Sequence, residues 1–286
     1  QLTIVSGAVT LPFTVAQIEN SGAAGAPSDP NDAIHDQAQA LATALGFDMS
    51  DYLHVTVLFP DVGGRIGYAG LAQVPGQRLW MNGNVSVNVW AHELGHNAGA
   101  PHVGYFETSN PNVAIQDANQ MTFSEGGTGL DVMGGGGTSP SGDFFVMRKA
   151  QYDWLDETQF VNVTTSGTYR LNAHDEGSEQ PDRDYGIRIA RNADQEYWLE
   201  YRVRTDDPFL DNGLVVTVRT LAGDDLGLID MTPNSRPGDF EEDRIDAPLA
   251  VGRMFSDPTG TLHITPIARN TEAGNSYLDV AVNCGD

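Results

Sequence analysis

The segment AHELGHNAGAPH, residues 91–102, places three histidines and one glutamate within eleven positions. His92 and His96 are four residues apart, so on an α-helix both imidazoles lie on one face, one turn from each other. Such a pair can bind a single metal ion from one rigid element. Glu93 is adjacent to His92, and in HExxH sites this glutamate acts as the general base on a zinc-bound water. The segment therefore predicts a helix, over about residues 86–98, that carries two metal ligands and a base.

The residues that follow His96 predict a chain reversal that adds a third ligand. Gly99 can adopt the left-handed conformation that often ends a helix, and Pro101 cannot continue the helix. His102 then returns toward the same ion. Three histidines with an open fourth position are typical of catalytic zinc, whereas structural zinc has a fourth protein ligand, usually cysteine. The only cysteine, Cys284, lies near the C-terminal end, so we predict one catalytic Zn²⁺. The alternative is a histidine-rich helix end that arose by coincidence.

The complete spacing, HExxHxxGxxH, resembles that of the metzincin zinc endopeptidases, which also carry a methionine-containing turn beneath the metal. GLDVMGGGG, residues 129–137, is similar to such a turn and contains Met133 among glycines. The alternative is that Met133 only fills the core, as most methionines do. Some metzincins carry a tyrosine two residues after this methionine, and that position is Gly135 here. The resemblance therefore implies that the three histidines are the only protein ligands, with Met133 packed beneath them.

Two longer segments are similar to gametolysin-type secreted metzincins. Residues 52–83 contain a strand, a glycine-rich stretch and a W-x-N-G sequence that precede the zinc helix in that group. Residues 228–268 resemble the C-terminal β-domain of gametolysin-like and immune-inhibitor-A-like peptidases. By this resemblance, the strand near Leu79–Met81 is expected to form the edge of the cleft, where a peptide substrate binds by strand addition.

The composition is strongly acidic, with 39 acidic residues against 15 basic ones and a formal net charge of −24. Such a surface repels nucleic acid and anionic membranes, and no apolar run is long enough to span a bilayer. The aspartate-rich segments 174–184 and 223–230 suggest structural Ca²⁺, which prefers carboxylate oxygens. Adaptation to salty water, which screens self-repulsion, explains the same composition. The sequence leaves both explanations open.

The distribution of periodic segments predicts an α+β protein with two domains. Residues 1–158 form a metzincin-like catalytic domain, and residues 159–286, with short alternating runs between turn residues, form an antiparallel β-sandwich. His174 and His263 are isolated in this second part, so we expect them on the surface. In the first domain, the predicted elements are strands at 1–15, 52–60 and 77–82, a helix at 33–47 capped by Asn31 or Asp32, the zinc helix, and a helix at 144–155.

These observations predict a secreted, extracellular zinc-dependent endopeptidase that hydrolyses protein or peptide substrates. Glu93 takes the proton of the zinc-bound water, which attacks the scissile carbonyl. We expect a monomer that is made with a removable propeptide. Two other classes remain open: a zinc amidase acting on cell-wall cross-links, and a surface-binding module with a vestigial zinc site. The intact Glu93 disfavours the second, because a vestigial site needs no base.

Overall fold

The computed structural model describes residues 3, 8–19, 29–62, 66–135, 142–177, 179–203, 208–236 and 243–285. The chain divides into two compact units, Gln1–Ala100 and Pro101–Asp286. The protein contains both helices and strands, and the strands form separate sheets, as expected for an α+β protein. Within the described residues, every helix is too short or too polar to traverse a lipid bilayer.

The first unit contains a three-stranded sheet and the helix that carries the HExxH segment. Strand β1 (Val55–Phe59) is parallel to β3 (Arg78–Asn82), and β2 (Gly70–Ala72) pairs antiparallel with the other side of β3. Ile34, Phe59 and Trp80 contribute to its apolar core. In chain order, the elements are helices α1 (Val15–Glu19) and α2 (Pro30–Ala44), a 3₁₀ turn (Met49–Asp51), strands β1 (Val55–Phe59), β2 (Gly70–Ala72) and β3 (Arg78–Asn82), and helix α3 (Val87–Ala98).

Strand β3 lies at the centre of this sheet, with a partner on each side. The expectation that Leu79–Met81 forms an open edge for substrate is therefore wrong. Residues 70–72 form strand β2 at that edge instead. The glycines in this segment had indicated a loop. Both faces of β3 are covered as well, since Leu79, Trp80 and Met81 are all buried.

The N-terminal segment differs from the predicted strand at 1–15. Residues 1, 2 and 4–7 of that range lie outside the described residues, and residues 8–14 form no strand. The chain enters α1 at Val15, and Ile18 of this helix is buried in the core, with Leu11 and Phe13 packed against it. Apolar residues that alternate in sequence thus contact the core without a strand partner.

The cap of helix α2 lies two to three residues before the predicted caps. Asp29 is the capping residue, and its carboxylate accepts hydrogen bonds from the backbone N–H groups of Asn31 and Asp32. Pro30 occupies the first helical position, where its missing N–H has no intrahelical partner to lose. Pro30, which precedes both predicted caps, is therefore part of the helix start.

The second unit is dominated by two sheets. Within the described residues, an eight-stranded sheet has the order β5-β4-β11-β10-β9-β8-β6, with β12 paired to β10, and a four-stranded sheet has the order β13-β14-β15-β7. The strands are β4 (Gly104–Thr108), β5 (Met121–Glu125), β6 (Phe160–Val163), β7 (Gly167–Asn172), β8 (Gly186–Ala190), β9 (Gln195–Glu200), β10 (Gly213–Thr220), β11 (Leu226–Leu228), β12 (Leu249–Ala250), β13 (Phe255–Ser256), β14 (Leu262–Glu272) and β15 (Asn275–Cys284). The helices are α4 (Val132–Gly135), α5 (Val146–Gln151) and α6 (Pro208–Asp211), with a 3₁₀ turn at Ala118–Gln120.

Both sheets contribute side chains to one apolar core. Val216 on β10, Ile264 on β14 and Val280 on β15 are completely buried members of it. The alternating runs that predicted strands after residue 160 coincide with β6–β10, β14 and β15. The pairing is mixed, however, because β6 is parallel to β8 and β4 is parallel to β11.

The hairpin of β4 and β5 has no counterpart in the sequence prediction. Gly104 pairs with both Glu125 and Gly227, so this hairpin extends the larger sheet. That sheet therefore includes strands from before and after residue 158. The predicted boundary lies inside the second unit, and separate domains at 1–158 and 159–286 stay a prediction.

A buried ionic cluster holds the two described ends of the segment 130–146, residues 130–135 and 142–146, and the first of these contains Met133. The Asp131 carboxylate accepts hydrogen bonds from the backbone N–H groups of Met133 (2.6 Å) and Phe145 (2.5 Å). Glu200 accepts one from the Val146 N–H at 2.6 Å. Both ends of the segment are thus tied to carboxylates. The cluster comprises Asp131, Asp143, Lys149, His174, Glu200 and Arg202.

His174 lies in the middle of this cluster, so the prediction that it is a surface residue is wrong. Its side chain is fully buried, with Nδ1 3.3 Å from Asp143 and Nε2 3.3 Å from Glu200. Burial alone would lower the pKa of His174, but the carboxylates of Glu200 and Asp143 outweigh it and raise that pKa. With His174 charged, three cations balance three carboxylates, which is what makes buried charges tolerable.

We expect the stability of the protein to fall as His174 loses its proton. Because its pKa is raised in the folded state, its contribution is complete below the unfolded value of about 6.5 and is lost as the pH rises through the folded value. Thermal unfolding of the wild type and His174→Gln between about pH 6 and pH 9 measures this. The wild type should lose melting temperature more steeply with pH than the variant, and parallel curves would contradict a charged His174.

Candidate metal site

Helix α3 presents the two histidines of the HExxH segment together. Ser86 caps the helix in an extended conformation, and the helix runs to Ala98, close to the predicted range. The rings of His92 and His96 are in edge-to-face contact, with centroids 4.7 Å apart. His92 is buried, so this face of the helix points into the protein and not into bulk solvent.

The end of α3 forms the turn expected at Gly99. Gly99 has φ +104°, a left-handed conformation that is strained for residues with a Cβ. Its N–H donates to the His96 carbonyl, and the Ala100 N–H donates to the Gly95 carbonyl, both at 2.9 Å. This pair of bonds is the Schellman motif, which reverses the chain direction after a helix.

The three histidines lie close enough to bind one ion. One ring nitrogen each from His92, His96 and His102 lies within 4.8 Å of the others. Among the described residues, this is the one group of three or more histidine, cysteine or acidic side chains that could hold a metal ion. His174 and His263 are not part of it.

Hydrogen bonds orient two of the imidazoles. His96 Nδ1 lies 2.7 Å from the Ala100 carbonyl oxygen, and His102 Nδ1 lies 2.5 Å from Glu125 Oε1. Both partners are acceptors, so Nδ1 carries the proton in each ring and Nε2 keeps its lone pair for a metal. The sequence analysis missed Glu125, which is 23 residues from His102 and adjacent only through the β4–β5 hairpin.

The donor set fits zinc. Ligand atoms around tetrahedral zinc, at about 2.0–2.1 Å from the ion, are about 3.4 Å apart, so nitrogens within 4.8 Å need only small shifts. Three imidazoles also suit zinc better than calcium, which prefers oxygen ligands. These residues could hold Zn²⁺ and leave one coordination position for water or substrate.

Glu93 lies beside these ligands in an apolar setting. It is only 5% exposed, and this burial raises the pKa of its carboxyl group to about 7. A carboxyl group with that pKa can both accept and donate a proton near neutral pH. A cation bound by the neighbouring histidines would act in the opposite direction and favour the carboxylate.

Gly70 on β2 sets the position of Glu93. A Cβ atom built on Gly70 would lie 2.7 Å from both Cγ and Oε1 of Glu93 and 2.8 Å from Cγ1 of Val89. Only glycine therefore allows β2 to approach this face of α3 so closely. The available sequence signal was an isolated glycine between apolar residues, which in a strand often marks such an approach.

Met133 lies in the one-turn helix α4 and is fully buried. Its carbonyl oxygen accepts a hydrogen bond from the Val103 N–H at 3.1 Å, so its backbone is adjacent to the residue that follows His102. The Val103 carbonyl in turn accepts from the Gly126 N–H. Support of the metal ligands by the Met133 thioether stays a prediction.

The acidic segments proposed for calcium are engaged with protein donors. Asp175 accepts from the Val203 N–H, and Glu176 accepts from the Ser276 N–H. Asp224 forms ion pairs with Arg148 and Arg219. Structural Ca²⁺ in these segments also stays a prediction.

Comparison of the chain with protein-family models, with curated proteins and with solved structures finds no match. The assignment of a function therefore depends on the residues of this site. Their geometry could hold a metal ion, with a buried carboxyl group adjacent to it.

We expect Glu125→Gln to weaken zinc binding by about 10–100-fold, the usual effect of losing a carboxylate that orients a ligating histidine. Chelator competition on the folded protein measures the zinc dissociation constant directly. Glu107→Gln is the matched control, because Glu107 lies exposed on the same hairpin. Equal zinc affinity in both variants would show that Glu125 does not orient His102.

We expect Gly70→Ala to displace the Glu93 side chain and to lower the rate of any reaction in which Glu93 transfers a proton by up to about a hundredfold, with metal binding by the three histidines unchanged. The added methyl group must push the Glu93 carboxyl group away from β2, and the three atoms nearest to it belong to Glu93 and Val89, not to a histidine. Gly67→Ala is the control, since a Cβ at Gly67 meets no atom within 4 Å. A Gly70→Ala variant that keeps the wild-type rate of such a reaction would contradict this role.

Proposed function

We propose that this protein is a zinc-dependent endopeptidase of the metzincin type. The observation that carries the proposal is the cluster of His92, His96 and His102 with the buried Glu93 on the same helix. The spacing HExxHxxGxxH and the left-handed turn at Gly99 support the metzincin resemblance. Secretion to the extracellular medium is part of the proposal and depends on the resemblance to gametolysin-type peptidases alone.

The proposed reaction is hydrolysis of a peptide bond. Zinc, when bound, supplies Lewis acidity that lowers the pKa of a water and polarises a carbonyl. Glu93 accepts a proton from the attacking water at its carboxylate. The oxygen of that water bonds to the scissile carbon, the carbon–nitrogen bond breaks, and Glu93 returns the proton to the departing amine.

The edge strand β2 is a suitable place for an extended substrate. Within the described residues, β2 pairs with β3 on one side only, so the other side can accept a peptide by strand addition. Gly70, whose Cα faces Glu93, belongs to this strand. A peptide on β2 would thus run past the catalytic carboxyl group. This open edge favours an extended polypeptide over the compact cross-link of a cell-wall amidase.

We expect Glu93→Gln to retain zinc and to lose peptidase activity by about 10²–10⁴-fold, because the variant cannot take up and return the proton. The measurements are zinc content and the cleavage rate of a peptide library followed by mass spectrometry. Removal of the metal with a chelator should abolish cleavage by the wild type, and added zinc should restore it.

The matched control is Glu157→Gln, an exposed glutamate far from α3 in sequence. It should cleave the library at the wild-type rate. The proposal fails if purified wild type cleaves no peptide with zinc bound, or if Glu93→Gln keeps more than roughly a tenth of the wild-type rate.

A further inference from the structure

His35 on helix α2 is a buried imidazole of which only one ring nitrogen has a partner. The residue is 0% exposed. Its Nε2 lies 3.0 Å from the carbonyl oxygen of Val55, the first residue of β1. A carbonyl group only accepts hydrogen bonds, so Nε2 carries the proton and Nδ1 carries a lone pair. Within the residues that the structure describes, Nδ1 has no hydrogen-bond partner.

The His35 ring lies at the contact between α2 and the three-stranded sheet of the first unit. It meets the Trp80 ring edge-to-face, with centroids 4.8 Å apart. Trp80 Nε1 donates to the Asn31 carbonyl oxygen at 2.7 Å, so α2 contacts β3 a second time. Ile34, next to His35, belongs with Trp80 to the apolar core of this unit. The imidazole therefore joins α2 to both β1 and β3.

The charged groups near the His35 ring lie toward solvent. Arg78, the first residue of β3, is 2.7 Å from Asp36 and 3.4 Å from Asp32, both on α2. The two aspartate side chains are more than half exposed, so water and salt screen their attraction for a charge on the ring. Strand β1 contributes no ionisable side chain. Tyr68, packed against the same core, stays neutral because burial raises its pKa.

Burial is the dominant influence on the protonation of His35. It lowers the pKa of the ring below its ordinary value, against the opposing effects of the Val55 carbonyl and the two aspartates. A proton on Nδ1 would add a charge and a second N–H group without an acceptor in the described core. His174 has the opposite setting, because two carboxylates contact its ring and raise its pKa. Mild acid therefore disfavours the folded environment of His35 and favours that of His174.

Helices α2 and α3 pack on opposite faces of the same sheet. Trp80 faces α2, with which it makes its ring contact and its hydrogen bond. Its neighbour Met81 pairs with Gly70, which approaches Glu93 and Val89 of α3. Successive side chains of a strand point to opposite faces, so β3 has one helix on each side. Release of α2 would expose Trp80 and loosen the sheet on which α3 packs.

We propose that His35 makes the first unit sensitive to mild acid, because uptake of a proton by its ring releases α2 from the sheet. The neutral ring donates to Val55 and holds α2 in place, whereas the charged ring has to leave the core to be hydrated. Because α3 packs on the other face of the sheet, the release reversibly destabilises the helix that carries the HExxH segment. The inference does not depend on the proposed peptidase function.

The sign of the effect follows from the lowered pKa of His35 in the folded state. Its contribution to stability is complete above the unfolded value of about 6.5 and is lost as the pH falls below that value, because only the unfolded ring takes up the proton. The loss continues down to the folded value. Each pH unit within this window raises the equilibrium constant for opening by up to about tenfold.

Hydrogen exchange of the full chain, followed by mass spectrometry, measures this opening in separate segments. Protection factors, which correct for the intrinsic pH dependence of exchange, are compared for α2 and β1 between about pH 7.5 and about pH 5.5. The wild type should lose about 3–10-fold in protection of both elements over this range. Strand β9 of the second unit, which carries Glu200 beside His174, should not show this loss.

His35→Gln isolates the titration, since glutamine can donate to the Val55 carbonyl but takes up no proton in this range. It should remove most of the acid-dependent loss, as should His35→Phe, which keeps a ring beside Trp80. The control His54→Gln removes an exposed imidazole from the same unit and should retain the wild-type loss. All proteins are measured in one zinc-containing buffer, so that proton competition at the candidate metal ligands contributes equally.

Parallel pH profiles of the wild type and His35→Gln would show that His35 only packs the contact, and would overturn the proposal. A wild type that keeps full protection of α2 at about pH 5.5 would overturn it without reference to any variant. Return to neutral pH should restore the protection of α2 and β1. A permanent loss would also contradict the proposal, because release of a helix by one proton is reversible.

Discussion

The candidate metal site depends on the left-handed turn at Gly99. Helix α3 alone can direct only His92 and His96 at one ion, because the next residue on that face would lie a further turn along the helix axis and away from the ion. The Schellman bonds from Gly99 and Ala100 end the helix and reverse the chain, and His102 follows within three residues. The same turn directs the Ala100 carbonyl to His96 Nδ1. One backbone conformation thus determines both where the third imidazole lies and how the second is oriented.

Residues that act within one local segment could be predicted from the sequence, because their spacing determines their geometry. The limits of α3, the turn at Gly99 and the histidine cluster are of this kind, and so are the long alternating strands such as β10 and β15. Residues that act across segments could not be predicted. Glu125 reaches His102 only through a hairpin, and Gly70 matters only because β2 packs against α3.

The sequence predictions for His174 and for the segment containing β2 were wrong for related physical reasons. His174 seemed isolated because its partners, Asp143 and Glu200, are distant in sequence, although the three side chains form one buried cluster. The segment containing β2 contains glycines, which indicate a loop when read locally. Close packing against Glu93 requires a glycine there, so the feature that obscured the strand is the one that brings it near the candidate base.

The ionic cluster around His174 and the candidate metal site differ in how their charge is balanced. In the ionic cluster around His174, protein cations and carboxylates neutralise one another, which suits a group that only holds backbone segments in place. At the candidate metal site, His92 and Glu93 are buried, the His102 side chain is 40% exposed, and burial raises the pKa of Glu93 and so favours its neutral form. A divalent cation held by the imidazoles would stabilise the Glu93 carboxylate and link metal binding to the free energy of folding. The Ala100 carbonyl and Glu125 already orient two of the rings. Metal binding therefore loses less side-chain conformational entropy, and the affinity for the metal is higher than it would be with freely rotating rings.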